Sequence, residues 1–233
     1  MNPFIEKLAV KNQEGKRLCV GLDPVKEKLP PGVGISQFVE GIVAATIEVA
    51  ATYKPNLGFY GSRGADGWDD LYSLMAWITD RDSSMPVIAD GKRADIGATN
   101  EEYIKELWEM VGADAATLNP YLGYGQSLDV FLSDPNRFGF VLCRTTNPGA
   151  KDLQDLLCEM KDFIPPGATK PAIGSRDLVP LYQAVAYKAV HEWNGNNNCG
   201  LVAGATFPEE LSKIRNIAPD LPLLIPGVGK QGG

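Results

Sequence analysis

A single histidine, His191, and four scattered cysteines leave this chain short of the side chains most used for metal binding and nucleophilic catalysis. Cys19, Cys143, Cys158 and Cys199 make none of the close pairs that zinc sites use and suggest no disulfide framework, so free thiols in a reducing cytoplasm are expected. His191 falls in a helical pattern away from any strand end, which reads as a helix-surface residue rather than an acid-base catalyst. Basic charge is also in deficit. The 22 Lys and Arg face 29 Asp and Glu, a net charge of -7, so no general field draws nucleic acid or an anionic membrane. An anionic ligand must therefore be gripped locally. No apolar run approaches the ~18 residues of a membrane span, and the opening stretch MNPFIEKLAVKNQEGK has Glu6 and Glu14 but no signal-type apolar segment. A soluble, cytoplasmic chain is expected.

What is present is ordinary globular material, 44% hydrophobic and 22% charged, and residues 1–233 are expected to form one domain. Short β-branched runs recur, each followed by a turn and a helical pattern: RLCVGLD (17–23), TYKPNLGF (52–59), MPVIADG (85–91), DAATLNP (114–120), FGFVLCR (138–144), GLVAGAT (200–206) and LPLLIPG (221–227). Between the first two, Ile35, Phe38, Val39, Ile42 and Val43 stand at helical spacing and predict an amphipathic helix. Thr99 with Glu102, and Thr206 with Glu209, have the spacing of capping boxes and predict helix starts. Seven strand-helix alternations argue for a (β/α)8 TIM barrel, with an open doubly wound sheet as the alternative. Residues 151–199 are less regular; a long loop is expected there, then a helix over roughly Leu178–Trp193. The last run leads straight into IPGVGKQGG, so the barrel's eighth strand and helix are absent from these residues and are expected beyond Gly233.

Charge concentrates where those strands end. VIADGKRADIGAT (87–99) sets Asp90, Lys92, Arg93 and Asp95 within six positions. Residues two apart on a strand face one side, which puts Asp90 and Lys92 roughly 6 to 7 Å apart along the backbone, looking into one space. An isolated Asp-x-Lys is most often a structural ion pair. These two close an apolar strand, however, and Lys54 of KPN and Asp23 of GLDP close two others, at the strand ends where α/β folds build their sites. Alternating lysines and aspartates at such a rim hold one another ionised and form a preorganised electrostatic site. The glycine loop PGVGKQGG offers backbone amides to a phosphate, and CRTTNPGA (143–150) offers hydroxyls and amides to a polar ring. Arg93 and Arg144 fit either a structural or a ligand-facing role.

GLDP, KPN, DGKRADIGAT, LNPYLGYG, RTTNPGA, GLVAGATFPEEL and IPGVGKQGG together resemble orotidine 5′-phosphate decarboxylase in its bacterial and parasite-like subgroup, over essentially the whole chain. The resemblance implies a (β/α)8 barrel that dimerises, each site borrowing residues from its neighbour, and a conversion of orotidine 5′-phosphate to UMP that uses no cofactor and no metal. It further implies Lys54, Asp90 and Lys92 acting from one subunit while Asp95, Ile96 and Thr99 reach over from the other. Asp23 and Thr99 would hold the ribose hydroxyls, and Asp95 would bridge the lysines. Asn56, in KPN, would bind substrate, Thr146 would hydrogen-bond the pyrimidine, Pro226 would border the ring, and Gln231 would lie in the loop over the phosphate. Lys92 would be the proton donor. The family's phosphate-binding arginine, in a Gly-Arg pair after the eighth strand, would lie beyond Gly233. Two rivals differ in testable ways: a magnesium-dependent sugar-phosphate decarboxylase of the same barrel type, which needs further acidic ligands, and a catalytically dead homologue acting as a partner subunit.

Overall fold

The computed structural model describes residues 1–161, 176–228 and 232. In chain order the elements are α1 (Pro3–Gln13), β1 (Leu18–Leu22), α2 (Ile35–Thr46), β2 (Ala50–Pro55), α3 (Leu57–Gly61), α4 (Ala65–Arg81), β3 (Ile88–Arg93), α5 (Ala98–Ile104), β4 (Ala115–Leu118) and α6 (Asp129–Leu132). They continue as β5 (Phe138–Arg144), α7 (Lys151–Gln154), β6 (Leu157–Lys161), β7 (Arg176–Pro180), α8 (Leu181–Lys188), β8 (Cys199–Ala203), α9 (Pro208–Ile217) and β9 (Leu223–Leu224). Among the described residues no helix is long and apolar enough to cross a membrane.

All seven expected strands form, and every pairing between them is parallel. β1 pairs with β2, single bridges Tyr53 to Val87 and Asn56 to Asp90 join β2 to β3, and the order then runs β3-β4-β5-β8-β9. Consecutive parallel strands joined through helices give the TIM-barrel arrangement. α2 packs as its periodicity predicts, with Ile35, Val39 and Val43 buried.

Two apolar layers result, one between strands and helices and one inside the ring. The inner layer stacks Phe138 and Phe140 of β5 with Ile88, Val202 and Leu224, and Phe4 of α1 closes it from below, 5.1 Å from the Phe138 ring and 5.6 Å from Phe140. Asn2 fixes that plug: its side-chain oxygen caps α1 by accepting from the Phe4 and Ile5 N–H groups, while its amide donates to the carbonyls of Pro135 and Arg137. With the amino-terminal end filled, the cavity opens at the carboxyl ends of the strands.

Three local expectations fail. α5 starts at Ala98 with Gly97 (φ +57°) at its cap position, so Thr99 lies inside the first turn and makes no capping bond. α9 starts at Pro208 after Phe207, and the buried Thr206 hydroxyl has no hydrogen-bond partner among the described residues. Tertiary packing has overridden both capping boxes. Residues 157–161 and 176–180 are strands rather than loop and helix: β6 and β7 pair antiparallel, Glu159 opposite Leu178, with Met160 and Val179 turned inward. The helix predicted from Leu178 consequently begins at Leu181.

One glycine sets the outer packing. A Cβ on Gly67, in the first turns of α4, would sit 1.9 Å from the Tyr60 carbonyl oxygen of α3. Because that obstacle is backbone, Gly67→Ala is expected to cost about 2–3 kcal/mol, a fall in Tm of roughly 5–10 °C by calorimetry. An unchanged Tm would show that α3 shifts freely.

Candidate active site

β2 and β3 deliver the charged centre. Lys54, the penultimate residue of β2, places Nζ 2.7 Å from Asp90 Oδ2, and Lys92 of β3 places its own Nζ 2.7 Å from Asp90 Oδ1. Asp90 is buried, Lys54 nearly so, and the Lys92 side chain is 49% exposed. One carboxylate thus holds two ammonium groups, and only Lys92 has freedom toward the opening.

The electrostatics follow from that geometry. Burial alone pushes the Asp90 carboxyl up, but Lys54 and Lys92 outweigh it and hold the group below the usual carboxylate range. Burial alone pulls Lys54 down, but the Asp90 charge and hydrogen bond, with a contribution from Asp23, raise it above an ordinary lysine. Asp90 is therefore ionised and Lys54 protonated across the neutral range.

The strand geometry behind this is not the regular pleat assumed from sequence. Asp90 and Lys92 do meet in one space, yet Lys92 has φ +48° and Ala94 φ +137°, and the β3–β4 register breaks between Ala89 and Arg93. Freed from the ladder, the Lys92 N–H donates to Thr117 Oγ1 at 3.0 Å, and that hydroxyl donates to Asp90 Oδ1 at 2.9 Å.

The centre opens into a cavity of about 850 Å³ lined by Lys54, Asp90, Lys92, Thr117, Thr146 and Pro226, among others. Thr146 and Pro226, expected at the ring, both line this cavity. Asn56 takes a supporting position: its N–H donates to Asp23 Oδ1 at 3.1 Å, and its side chain caps α3 by accepting from the Gly58 N–H. Asp23, held by that bond, is not among the residues lining the cavity, but its carboxylate lies close enough to Lys54 and Lys92 for their charges to act on it. Asp95, Ile96 and Thr99 do not line the cavity of their own chain; Ile96 is 59% exposed, and Asp95 Oδ1 accepts from the Ile96 N–H. Among the described residues no ion pair joins Asp95 to Lys54 or Lys92 within the chain. Gln231 lies outside the described residues.

Several contributors carried no obvious sequence signal. Thr117 sits in a strand where threonine is ordinary. Asn100, fully buried, accepts from the Asp95 N–H at 2.7 Å and donates to the Asp95 carbonyl at 2.6 Å, so it clamps the turn that presents Asp95. Arg144 is structural: its side chain is 3% exposed, pairs with Asp155 at 3.1 Å and lies over the Phe207 ring. Gln154 accepts from the Thr145 N–H and donates to its hydroxyl, pinning the RTTN turn. A Cβ on Gly204 would meet Thr146 Cγ2 at 2.4 Å, so the GAT glycine makes room for that threonine. Arg93 turns away, bonding both Glu106 oxygens at 2.6 and 2.7 Å.

Known proteins share both the sequence and the shape. Residues 16–164 match the model of the Orotidine 5'-phosphate decarboxylase / HUMPS family. An orotidine 5'-phosphate decarboxylase of Herpetosiphon aurantiacus is 40% identical over 99% of this chain and 80% of its own, and one of a Janthinobacterium species is 41% identical over 99% and 79%. A solved OMP decarboxylase of Leishmania donovani superposes with a TM-score of 0.81 at 36% identity, covering 98% of this chain and 80% of that one. The UMP synthase of the same organism gives 0.83 at 36% identity, covering all of this chain and 46% of that one. With a TIM barrel, a lysine-aspartate-lysine centre at its strand mouths and relatives at this identity over nearly its full span, the chain belongs to the orotidine 5′-phosphate decarboxylase / HUMPS family.

Proposed function

We propose that this chain decarboxylates orotidine 5′-phosphate to UMP, a step of pyrimidine nucleotide synthesis, in the cytoplasm and without a cofactor. The observation that carries this is the pairing of Lys54 and Lys92 on one buried carboxylate, Asp90, at the mouth of the cavity. Losing CO₂ from ring carbon 6 breaks the bond to the carboxylate carbon and leaves the electron pair on a carbon that delocalises it poorly. Stabilisation must then come from fixed charge in a site that needs no reorganisation. Lys92, half-exposed at the cavity, faces that carbon, stabilises the pair and transfers a proton to it. Asp90 keeps both ammonium groups in place and stands beside the departing carboxylate.

The remaining roles use residues at the rim. Asp23, held by the Asn56 N–H, binds ribose hydroxyls; Thr146 bonds the pyrimidine; Pro226 borders the ring; Gln231 closes over the phosphate. Asp95, Ile96 and Thr99 serve the site of a second copy in a homodimer, Asp95 bridging its lysines and Thr99 reaching its ribose. Their position outside their own cavity supports this, as does the exposure of the Ile96 side chain in the single chain. Residues 1–233 act as one barrel domain.

Release of CO₂ from orotidine 5′-phosphate, measured with and without EDTA, tests the reading. Turnover that EDTA changes by less than about twofold is expected. Loss with EDTA would favour the magnesium-dependent sugar-phosphate chemistry, and UMP binding without any turnover would favour the inactive homologue.

A further inference from the structure

We infer that Thr117 is a positioning residue for the reaction: a single hydroxyl on β4 holds both the backbone turn that aims Lys92 and the carboxylate that orients its ammonium group. The inference deepens the decarboxylase reading of this cavity and rests on it.

Four atoms close a ring. The Lys92 N–H donates to Thr117 Oγ1 at 3.0 Å, Thr117 Oγ1 donates to Asp90 Oδ1 at 2.9 Å, and the same Oδ1 receives Lys92 Nζ at 2.7 Å. Every direction in this ring is forced. A backbone N–H can only donate and an ionised carboxylate can only accept, so the hydroxyl must accept from one and donate to the other. A hydroxyl is the smallest side-chain group able to do both at once.

The backbone gives the ring its consequence. Lys92 has φ +48°, a left-handed conformation that strains a side-chain-bearing residue and persists only where its surroundings enforce it. The register break between Ala89 and Arg93 removes the ladder partner that would otherwise hold the Lys92 N–H. Thr117, 2% exposed, replaces that partner with a side chain. The turn carries the lysine toward the cavity, where its half-exposed side chain needs a defined origin if Nζ is to meet a reacting carbon within a few tenths of an ångström.

A plain strand role for Thr117 makes a different forecast, because valine has the same shape and a higher strand preference. Thr117→Val removes the hydroxyl alone. We expect kcat to fall roughly 30- to 100-fold, with KM and the affinity for UMP changed by less than about threefold, since the lost contact aims a reacting group without touching the nucleotide. Thr117→Ser should recover most of the loss. Amide hydrogen exchange at Lys92, followed by NMR in the absence of substrate, should quicken at least ~10-fold in Thr117→Val and return toward wild type in Thr117→Ser. Should the valine variant not fold, Thr117→Ala carries the same expectations without placing a methyl against the carboxylate.

The exchange readout needs no turnover, so the two ideas fail separately. A wild-type chain that releases no CO₂ sinks the decarboxylase reading, while Lys92 exchange still tests the tether. A valine or alanine variant with wild-type kcat, or with unchanged Lys92 exchange, overturns the inference. A serine variant as slow as the valine one also overturns it, because shape rather than the hydroxyl would then be responsible.

Discussion

Replacing Lys92 with alanine is expected to lower CO₂ release by roughly 10⁴-fold, because one residue supplies both a proton and a positive charge at the reacting carbon. Stability should hardly change. The Lys92 side chain is 49% exposed, its ion pair with Asp90 is shared with water, and a pair of that kind contributes ~1 kcal/mol or less. The variant should therefore fold and bind UMP while failing at the chemical step, a separation read by single-turnover kinetics beside calorimetric UMP binding. Retention of more than about one per cent of the wild-type rate would remove Lys92 from the donor role and point to Lys54.

Asp90→Asn should show a second pattern, losing activity and stability together. The neutral amide leaves Lys54 charged at 15% exposure with its carboxylate gone, and stranding a buried charge costs about 3 kcal/mol, or roughly 6–12 °C in Tm for a chain of this size. The rate should fall by at least ~10³-fold, since both ammonium groups lose the anchor that sets their positions. The pH dependence has a definite sign. The folded-state value of Asp90 is depressed, so its contribution to stability is fully present above the unfolded value, near pH 4, and is lost as pH falls through the folded value. Lys54 is raised, so its contribution is present below about pH 10 and is lost as pH rises through its folded value. Denaturant midpoints taken from pH 2 to pH 6 should thus show a steeper acid decline in the wild type than in Asp90→Asn. Parallel curves would mean that Asp90 titrates alike in both states and that the network adds nothing to folding.

How far the site could be read from sequence depends on the reach of each interaction. Lys54, Asp90 and Lys92 were visible because each closes a short apolar strand, a local pattern. Pro226 was reached only through the family resemblance, whereas Thr146 was visible in a similar way, as a hydroxyl in the turn directly after a strand. Thr117 was not, since its function rests on meeting Asp90 and Lys92 across 27 and 25 positions of chain, and nothing in AATL marks one threonine of a strand as a hydrogen-bond bridge. A regular pleat would put Asp90 and Lys92 on one side, and they do share one space although β3 leaves that pleat at Lys92. Side-chain reach, and the attraction of two ammonium groups for one carboxylate, made up the difference.

The capping boxes show the opposite limit. Thr99 with Glu102 met the local rule for a helix start, but Asn100 clamps both the N–H and the carbonyl of Asp95, and Gly97 adopts φ +57°, which begins the helix at Ala98. A buried side chain with two good backbone bonds outweighs one exposed cap. The β6–β7 pair carries little local signal for a related reason: Cys158, Met160 and Val179 alternate inward, but each strand is only five residues long and β7 runs straight into a helix.

The sequence by itself determined the seven parallel strands, the helices between them and the charged strand ends, because hydrophobic period and turn chemistry act over a few residues at a time. Only the tertiary structure decided which charges share a space, which backbone leaves the ladder and which hydroxyl holds it there. Those outcomes depend on the register between strands far apart in the chain, set by the packing of the whole barrel around Phe4, Phe138 and Phe140.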